Sequence, residues 1–426
     1  MDEYLALGHM VPTSERDCTP PVYYLPHHGV FKESNGEIKT RVVFNASSRT
    51  DTRISLNDIL HSGTKLQTEI GDVLLWIRSH RIVFSTDIVK MFRQIAVHPE
   101  DWKYQRIMWL NTEDQPTDYS LTTVTYGMSC APFLALRCLQ QLIHEDGTRF
   151  PKAVLPLTRG RYVDDIFGGA DSLVEAREIM QQVVLLCDGG GFALQKWHSN
   201  CSELFNTEFL NTSERSSGVE IEPSLVKLLG LVWEPSTDTF RFSSHQSSSS
   251  FLSKRILLSK IAKFFDPLGL ISPVLIRAKI LIQELWLLKI SWDDELPTEI
   301  HQRWTTFRLQ LSKLEQLSVP RWLGPLRSST QVELHGFSDD SLLALAIAVY
   351  VRVDDPVEGV SVRLICAKTR VAPLKRLSIP RLELSAALLL ARLAAHVQNT
   401  LELQCSNIFL WTDSSVTLAW VNAHPS

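Results

Sequence analysis

Asp164 and Asp165 stand side by side in the stretch Arg161-Tyr162-Val163-Asp164-Asp165-Ile166-Phe167-Gly168-Gly169. Adjacent carboxylates repel, and a cation between them relieves the repulsion. A divalent metal held by carboxylates suits phosphoryl transfer. Apolar, β-forming residues on both sides predict a tight hairpin with the two acids at its tip. A solvated polar turn is the plainer reading of such a pair taken alone. Other acids close predicted strands. Asp87 follows Arg81-Ile82-Val83-Phe84-Ser85-Thr86, Asp339 and Asp340 follow Val332 to Ser338, and Asp413 follows Asn407 to Thr412. A carboxylate on a buried strand needs a partner or a metal. Glu383 lies where Ile379-Pro380-Arg381-Leu382 opens a long Ala/Leu helix. The bland alternatives are a helix N-cap for Asp87 and a charge favourable to the helix dipole for Glu383.

Basic and small residues accompany these acids. Ser34-Asn35-Gly36 predicts a hairpin between Tyr23–Phe31 and Lys39–Asn45. Side chains alternate along a strand, so Lys39 and Arg41 share a face and could grip phosphates, or form an ordinary solvated face. Thr125-Tyr126-Gly127-Met128-Ser129-Cys130-Ala131-Pro132-Phe133 opens a helix with Pro in its first turn. Small residues there let backbone approach a ligand, though a plain loop-to-helix junction has the same composition. Lys196 lies inside the strand Phe192 to Asn200. His27-His28 has no partners at metal spacing.

The elements that must position these groups fill a chain of 426 residues, 44% hydrophobic and 21% charged, enough for two to four cored domains. The formal net charge is −4, yet 12 Lys and Arg face 7 Asp and Glu between Phe251 and Thr330, a local basic surplus. The 7 Cys show no metal spacing and read as free thiols. Ser172 to about Cys187 predicts a helix ended by Gly189-Gly190-Gly191, and Ser243 to Ser250 a linker. Helices follow at Leu252 to Phe265, stopped by Asp266-Pro267-Leu268-Gly269, and at Pro273 to Ile290. The tryptophans of this region, Trp286, Trp292, Trp304 and Trp322, are expected mostly in the core. Leu342 to Val351 and Val362 to Lys368 predict strands. Gln283 and Glu284 break the most apolar helix, so no membrane span is expected.

Taken in order, these stretches resemble a retroelement reverse transcriptase with an attached RNase H. Asp87 sits in a strand-end motif, Tyr126-Gly127 and Ala131-Pro132 in a template- and nucleotide-contacting motif, and Tyr162-Val163-Asp164-Asp165 in the catalytic hairpin. Lys196 and the primer-grip-like Leu229-Gly230-Leu231-Val232-Trp233 follow at the expected distances. Arg41-Val42-Val43-Phe44-Asn45, Phe192 to Asn200 and Phe264-Phe265-Asp266-Pro267-Leu268-Gly269 look most like the BEL/Pao class of LTR retrotransposons.

The resemblance implies an α+β right-hand polymerase with fingers, a ferredoxin-like palm and a thumb, then a helical connection and a C-terminally truncated RNase H-like α/β domain. Fingers and palm would occupy 1–210, the primer-grip strands, linker and helical thumb or connection 211–330, and the RNase H-like domain 331–426. Asp87 and Asp164 would hold two Mg²⁺, with Mn²⁺ as a substitute, and Asp165 would support them. Phe92 would be a steric gate against the ribose 2′-hydroxyl. Arg41, with Lys39, would hold the triphosphate of a dNTP beside Tyr126 and Gly127, and Lys196 would protonate the leaving pyrophosphate. Asp339, Glu383 and Asp413 would be three of four RNase H metal ligands, with Asp340 adjacent. The implied partners are an RNA or DNA template with primer, dNTPs and an RNA–DNA hybrid, with no membrane. The expected setting is a cytoplasmic retrotransposon particle or the nucleus. The competing expectation is a non-catalytic remnant of a polyprotein that at most binds nucleic acid. A DNA-templated polymerase is disfavoured by the RNase H-like segment.

Overall fold

The computed structural model describes residues 1–13, 22–34, 37–205, 226–243, 251–327 and 329–423. Asn35-Gly36 and Ser244 to Ser250 of the expected linker lie outside the described residues, as does the side chain of Lys39.

The first part carries helix α1 (Asp2–Ala6), strands β1 (Met10–Pro12), β2 (His27–Ser34) and β3 (Glu37–Phe44), and helices α2 (Leu56–Ile59) and α3 (Ile70–Arg78). Strands β4 (Ile82–Ile88), β5 (Arg106–Leu110) and β6 (Pro116–Leu121) precede helices α4 (Ala131–Asp146) and α5 (Val154–Thr158). Then come β7 (Arg161–Tyr162), β8 (Asp165–Ala170), helix α6 (Leu173–Gly189) and β9 (Leu194–Ser199). β2 and β3 form a hairpin, and β1, β6 and β5 a three-stranded sheet.

The central sheet has the order β7-β8-β4-β9. With β5, β6 and α5 inserted between them, strand β4, helix α4, strands β7 and β8, helix α6 and strand β9 form a βαββαβ unit. Phe84, Ile88 and Ile166 from the strands pack against Leu136, Leu139, Met180 and Val183 from the two helices. Val83 to Thr86 and Ile88 of β4 are buried, and Asp87, next to the end of the strand, is partly exposed. The Asp87 carboxylate therefore reaches the surface between two buried positions whose backbone is held in the sheet.

Short strands β10 (Val226–Leu228), β11 (Leu231–Glu234), β12 (Thr239–Arg241) and β13 (Ser318–Pro320) make a second four-stranded sheet. Helices α7 (Lys254–Ala262), α8 (Ser272–Leu287) and α9 (Thr298–Leu311) lie between β12 and β13. The last sheet has the order β16-β15-β14-β17, built from β14 (Gln331–Asp340), β15 (Ala344–Asp355), β16 (Gly359–Val371) and β17 (Asn407–Thr412). β17 pairs parallel to β14, the other pairs are antiparallel, and helix α10 (Ile379–Leu401) makes the crossover between β16 and β17. Helix α11 (Ser415–Asn422) follows. One apolar core runs from Leu74 and Ile77 of α3 through Trp233 and Trp304 to Leu334, Val349 and Leu390.

Several elements differ from expectation. The hairpin around the paired acids is short: Tyr162 pairs with Asp165, so the turn holds Val163 and Asp164, and Asp165 begins β8. Helix α7 is shorter than Leu252 to Phe265. Trp304 is buried, whereas Trp286 and Trp292 are exposed with the Lys254 ammonium 4.1 and 5.4 Å from their ring centroids. Among the described residues no helix is long and apolar enough to cross a membrane, and the described cysteines are free thiols.

Candidate active site

Pairing of β4 with β8 sets Asp87 directly across from Asp165. The turn between β7 and β8 is tied to β4 as well, because the Ile88 N–H donates to the Asp164 carbonyl at 2.9 Å. Val163 takes φ +54 at the tip, a costly conformation for a β-branched residue. Its N–H donates to Gln67 Oε1 at 3.3 Å, an anchor outside the hairpin. Burial, then Asp164 and Asp87, push the Asp165 carboxyl up to about 7. Burial and Asp87 also raise Asp164, while Lys196 and Arg41 pull it back. Three acids thus share one small volume, and two of them are raised, first by burial and then by one another's charge.

Lys196 supplies counter-charge. Its Nζ donates to Asp87 Oδ2. The register of β4 with β9 slips between Ser85 and Asp87, and Lys196 sits there at φ +55. A bulge of this kind re-aims a side chain, here across the sheet edge onto the acid.

The donor chemistry of Asp87, Asp164 and Asp165 fits a hard divalent cation, which takes oxygen ligands and relieves the crowding that raises two of the three. The three are not drawn into a finished cage. Among the described residues, no three of His, Cys, Asp or Glu form a group that could hold a metal ion as they stand.

Arg41, on β3, reaches the acids from the hairpin side, close enough to lower Asp164. Its Cζ lies 5.4 Å from the centroid of the Tyr126 ring. The Tyr126 hydroxyl donates to the Val42 carbonyl at 2.5 Å. Gly127 takes φ +96, and a Cβ there would lie 2.4 Å from the Phe44 carbonyl oxygen, so no larger residue fits. Asn57 holds this loop: its Nδ2 donates to the Gly127 carbonyl at 2.9 Å, and its Oδ1 accepts from the Ser129 N–H at 2.8 Å. Phe92 lies half-buried in the 3₁₀ turn Met91–Gln94, just beyond β4. Lys39 shares β3 with Arg41, its side chain outside the described residues.

A second acidic group gathers at the end of the last sheet. Asp339 and Asp340 end β14, Asp413 follows β17, and Glu383 faces them from α10. Glu383 is the fifth residue of its helix, past the first turn, so the helix-dipole reading loses its basis. The Ser414 hydroxyl donates to Glu383 Oε2 and also accepts from the Thr417 N–H at 3.0 Å. Asp339 is exposed, and its Oδ1 accepts the Asp340 N–H at 2.7 Å. Asp339 and Asp413 line a cleft of about 550 Å³ with Phe337 and Trp411. Asp340 joins the group more closely than its sequence neighbour suggests: burial, then Glu383, Asp339 and Asp413, push its carboxyl up to about 6. Its Oδ2 is closed to solvent and without a hydrogen-bond partner.

Residues 253–414 match the family model of the Pao retrotransposon-like RNaseH-like domain. That stretch takes in helices α7 to α10 and the last sheet through β17. The chain therefore carries a retroelement RNase H-like domain. Its fold also resembles a solved structure of the foamy viral protease-reverse transcriptase dRH in complex with ds DNA, at a TM-score of 0.61 and 13% identity. The alignment covers 98% of this chain and 62% of that one, so the chain spans less than two thirds of the solved protein's length. No curated protein matches the chain.

Sequence reasoning missed Asn57 and Gln67, which position the two loops of the first site. Each is a single polar residue in a short segment, and only its contact across the fold gives it meaning. Asp266-Pro267-Leu268-Gly269, expected as the stop of α7, lies beyond its end at Ala262 and is a joint. The Leu268 carbonyl accepts from the Ala367 N–H of β16 at 2.8 Å.

Proposed function

We propose that the chain is an RNA-directed DNA polymerase of a BEL/Pao-type retrotransposon, with an RNase H-like domain. The observation that carries this reading is the pairing of Asp87 with Asp165 across β4 and β8, with Asp164 in the adjoining turn. The βαββαβ sheet is then the palm, the β2–β3 hairpin belongs to the fingers, and α7 to α9 serve as thumb or connection. Asp87 and Asp164 would hold two Mg²⁺, or Mn²⁺ in their place, with Asp165 in support. When bound, the metals supply charge neutralisation at the attacking primer 3′-oxygen and the leaving pyrophosphate.

The protein's own task is to position the reactants. Arg41 and Lys39 bind the dNTP triphosphate, Tyr126 and Gly127 floor the pocket, and Phe92 excludes a ribose 2′-hydroxyl. Lys196 pairs with Asp87, and its ammonium would serve as proton donor to the leaving pyrophosphate. At the second centre, Asp339, Glu383 and Asp413 would hold the metals for cleavage of the RNA of an RNA–DNA hybrid. The working partners are a primed RNA or DNA template and dNTPs, within a cytoplasmic particle or the nucleus.

Primer extension on poly(rA)/oligo(dT) with Mg²⁺ tests the reading. The wild-type chain is expected to extend the primer, and Asp164→Asn to lose at least about a thousandfold in rate, as loss of a transition-state charge contact implies. One observation favours a second reading, a non-catalytic nucleic-acid binder: the Lys196 ammonium already occupies Asp87. Retained binding of primer–template with no extension under Mg²⁺ or Mn²⁺ would decide for it.

A further inference from the structure

Helix α1 has no role in the reading above, yet it lies against the nucleotide side of the site. Tyr4 is buried, 7% exposed, in the cluster that also contains Phe44 and Tyr126. The Tyr4 and Tyr126 hydroxyl oxygens are 3.1 Å apart. Tyr126 has one hydroxyl proton and gives it to the Val42 carbonyl at 2.5 Å. Tyr4 is therefore the donor to Tyr126. On its other side Tyr4 carries the Arg93 guanidinium, with Cζ 4.7 Å from the ring centroid. Glu3, one residue earlier, pairs with Arg93 at 3.7 Å and with Lys90. Lys90 and Arg93 flank Phe92 in sequence.

These contacts form one chain. Arg41 lies over Tyr126, Tyr126 is bonded to Tyr4, Tyr4 lies under Arg93, and Arg93 adjoins Phe92. The two ends are the group that would grip the triphosphate and the ring that would exclude the 2′-hydroxyl. Phe44 braces the middle, its ring 6.2 Å from Tyr4 and 5.4 Å from Tyr126. We infer that Tyr4 is a positioning residue for the incoming nucleotide, setting the separation between Arg41 and the Phe92 gate through Tyr126 and Arg93. The inference rests on the polymerase reading. Burial and the Tyr126 hydroxyl raise the Tyr4 phenol well above its ordinary range, so it remains a donor at every working pH.

Tyr4→Phe removes the donor and keeps the ring, so the packing of the cluster is preserved. Steady-state extension of a primed RNA template by the full chain should then show a KM for dNTP raised about five- to tenfold, the size of one lost hydrogen bond. Its kcat should stay within about twofold, and preference for dNTP over rNTP should fall by a similar factor, because the gate is set less tightly. Glu3→Gln, which loosens α1 from Arg93 and Lys90, should move both quantities the same way by a smaller factor. A merely structural tyrosine would lower the amount of active enzyme and leave KM and sugar preference alone. A wild-type chain that extends no primer overturns the polymerase reading and this inference together. A wild-type chain that extends primer while Tyr4→Phe matches it in KM and sugar preference overturns the inference alone.

Discussion

Burial pulls the His80 imidazole down to about 4, with the Arg321 charge adding to the effect and Asp171 opposing it. The ring meets Trp76 edge-on at 4.6 Å, and its Nε2 is closed to solvent without a partner. An unfolded histidine takes its proton near pH 6.5, so between about 6.5 and 4 the unfolded chain binds more protons than the folded one. The stability that the neutral ring contributes is complete above about 6.5 and is lost as the pH falls toward 4, on the order of 3 kcal/mol in all. Urea unfolding of the wild type should weaken over that window, and His80→Leu should flatten the dependence there. An equally steep acid limb in the variant would remove His80 as its source. Residues of this kind were opaque in the sequence, because a histidine at the end of a helical stretch carries no sign of what covers it. The paired acids were legible, since two adjacent carboxylates need a physical reason wherever they stand. Lys196 was half legible: its strand was read, but the positive φ that turns it onto Asp87 comes from a register slip between two strands far apart in sequence.

At the scale of elements, the turn Asp266-Pro267-Leu268-Gly269 works as a seat for β16. Asp266 Oδ1 accepts the Leu270 N–H and Oδ2 the Ile271 N–H, each at 2.8 Å. Gly269 takes φ +71, and a Cβ there would lie 1.8 Å from the Ala367 carbonyl oxygen. That overlap is with backbone, which cannot swing aside. Gly269→Ala should cost about 3 kcal/mol or more, combining strain with a forced separation of the turn from β16. Asp266→Ala should cost about 1–2 kcal/mol through the lost caps and leave the strand contact in place. Thermal unfolding of the two full-length variants gives the order, and a Gly269→Ala chain as stable as wild type would refute the close approach. Proline and glycine punctuate chains locally, so the sequence predicted a break here, but helix α7 ends at Ala262, short of the expected Phe265. The sequence did not predict what the break touches. The same limit explains strands β15 and β16, which run past the expected Leu342 to Val351 and Val362 to Lys368. Their extra residues include Arg352 and Asp354, which join the ladder because a partner strand is present rather than from an apolar pattern of their own.

Across the whole molecule, two fully buried arginines join the central sheet unit to the RNase H-like domain. Arg78, in the last turn of α3, donates from Nε to the Arg321 carbonyl at 2.9 Å and from Nη2 to the Pro320 and Leu364 carbonyls at 3.1 and 2.8 Å. Its Nη1 donates to the Ile365 carbonyl of β16. Arg321 answers from the other side, with Nε and Nη2 on the two Asp238 oxygens at 2.6 and 2.7 Å and Nη1 on the His80 carbonyl at 2.8 Å. Asp238 also accepts from Trp233 Nε1 at 3.0 Å and Asn200 Nδ2 at 3.3 Å. Arg321 thus pairs with Asp238, while Arg78 has no carboxylate partner among the described residues and is solvated by backbone carbonyls alone. A buried pair of this kind adds little over an apolar core, but removing one partner is expensive because the other is left without compensation. Arg321→Met leaves Asp238 without its cation and should cost about 3–5 kcal/mol. The loss should appear as faster hydrogen exchange on both sides of the joint, in the amides of Ile77 to Arg81 and in those of β16. Exchange that quickens in one half only would mean that the two halves are held together by the shared apolar core, with the arginines incidental. If it quickens in both, the separation of the two acidic centres is set by this joint.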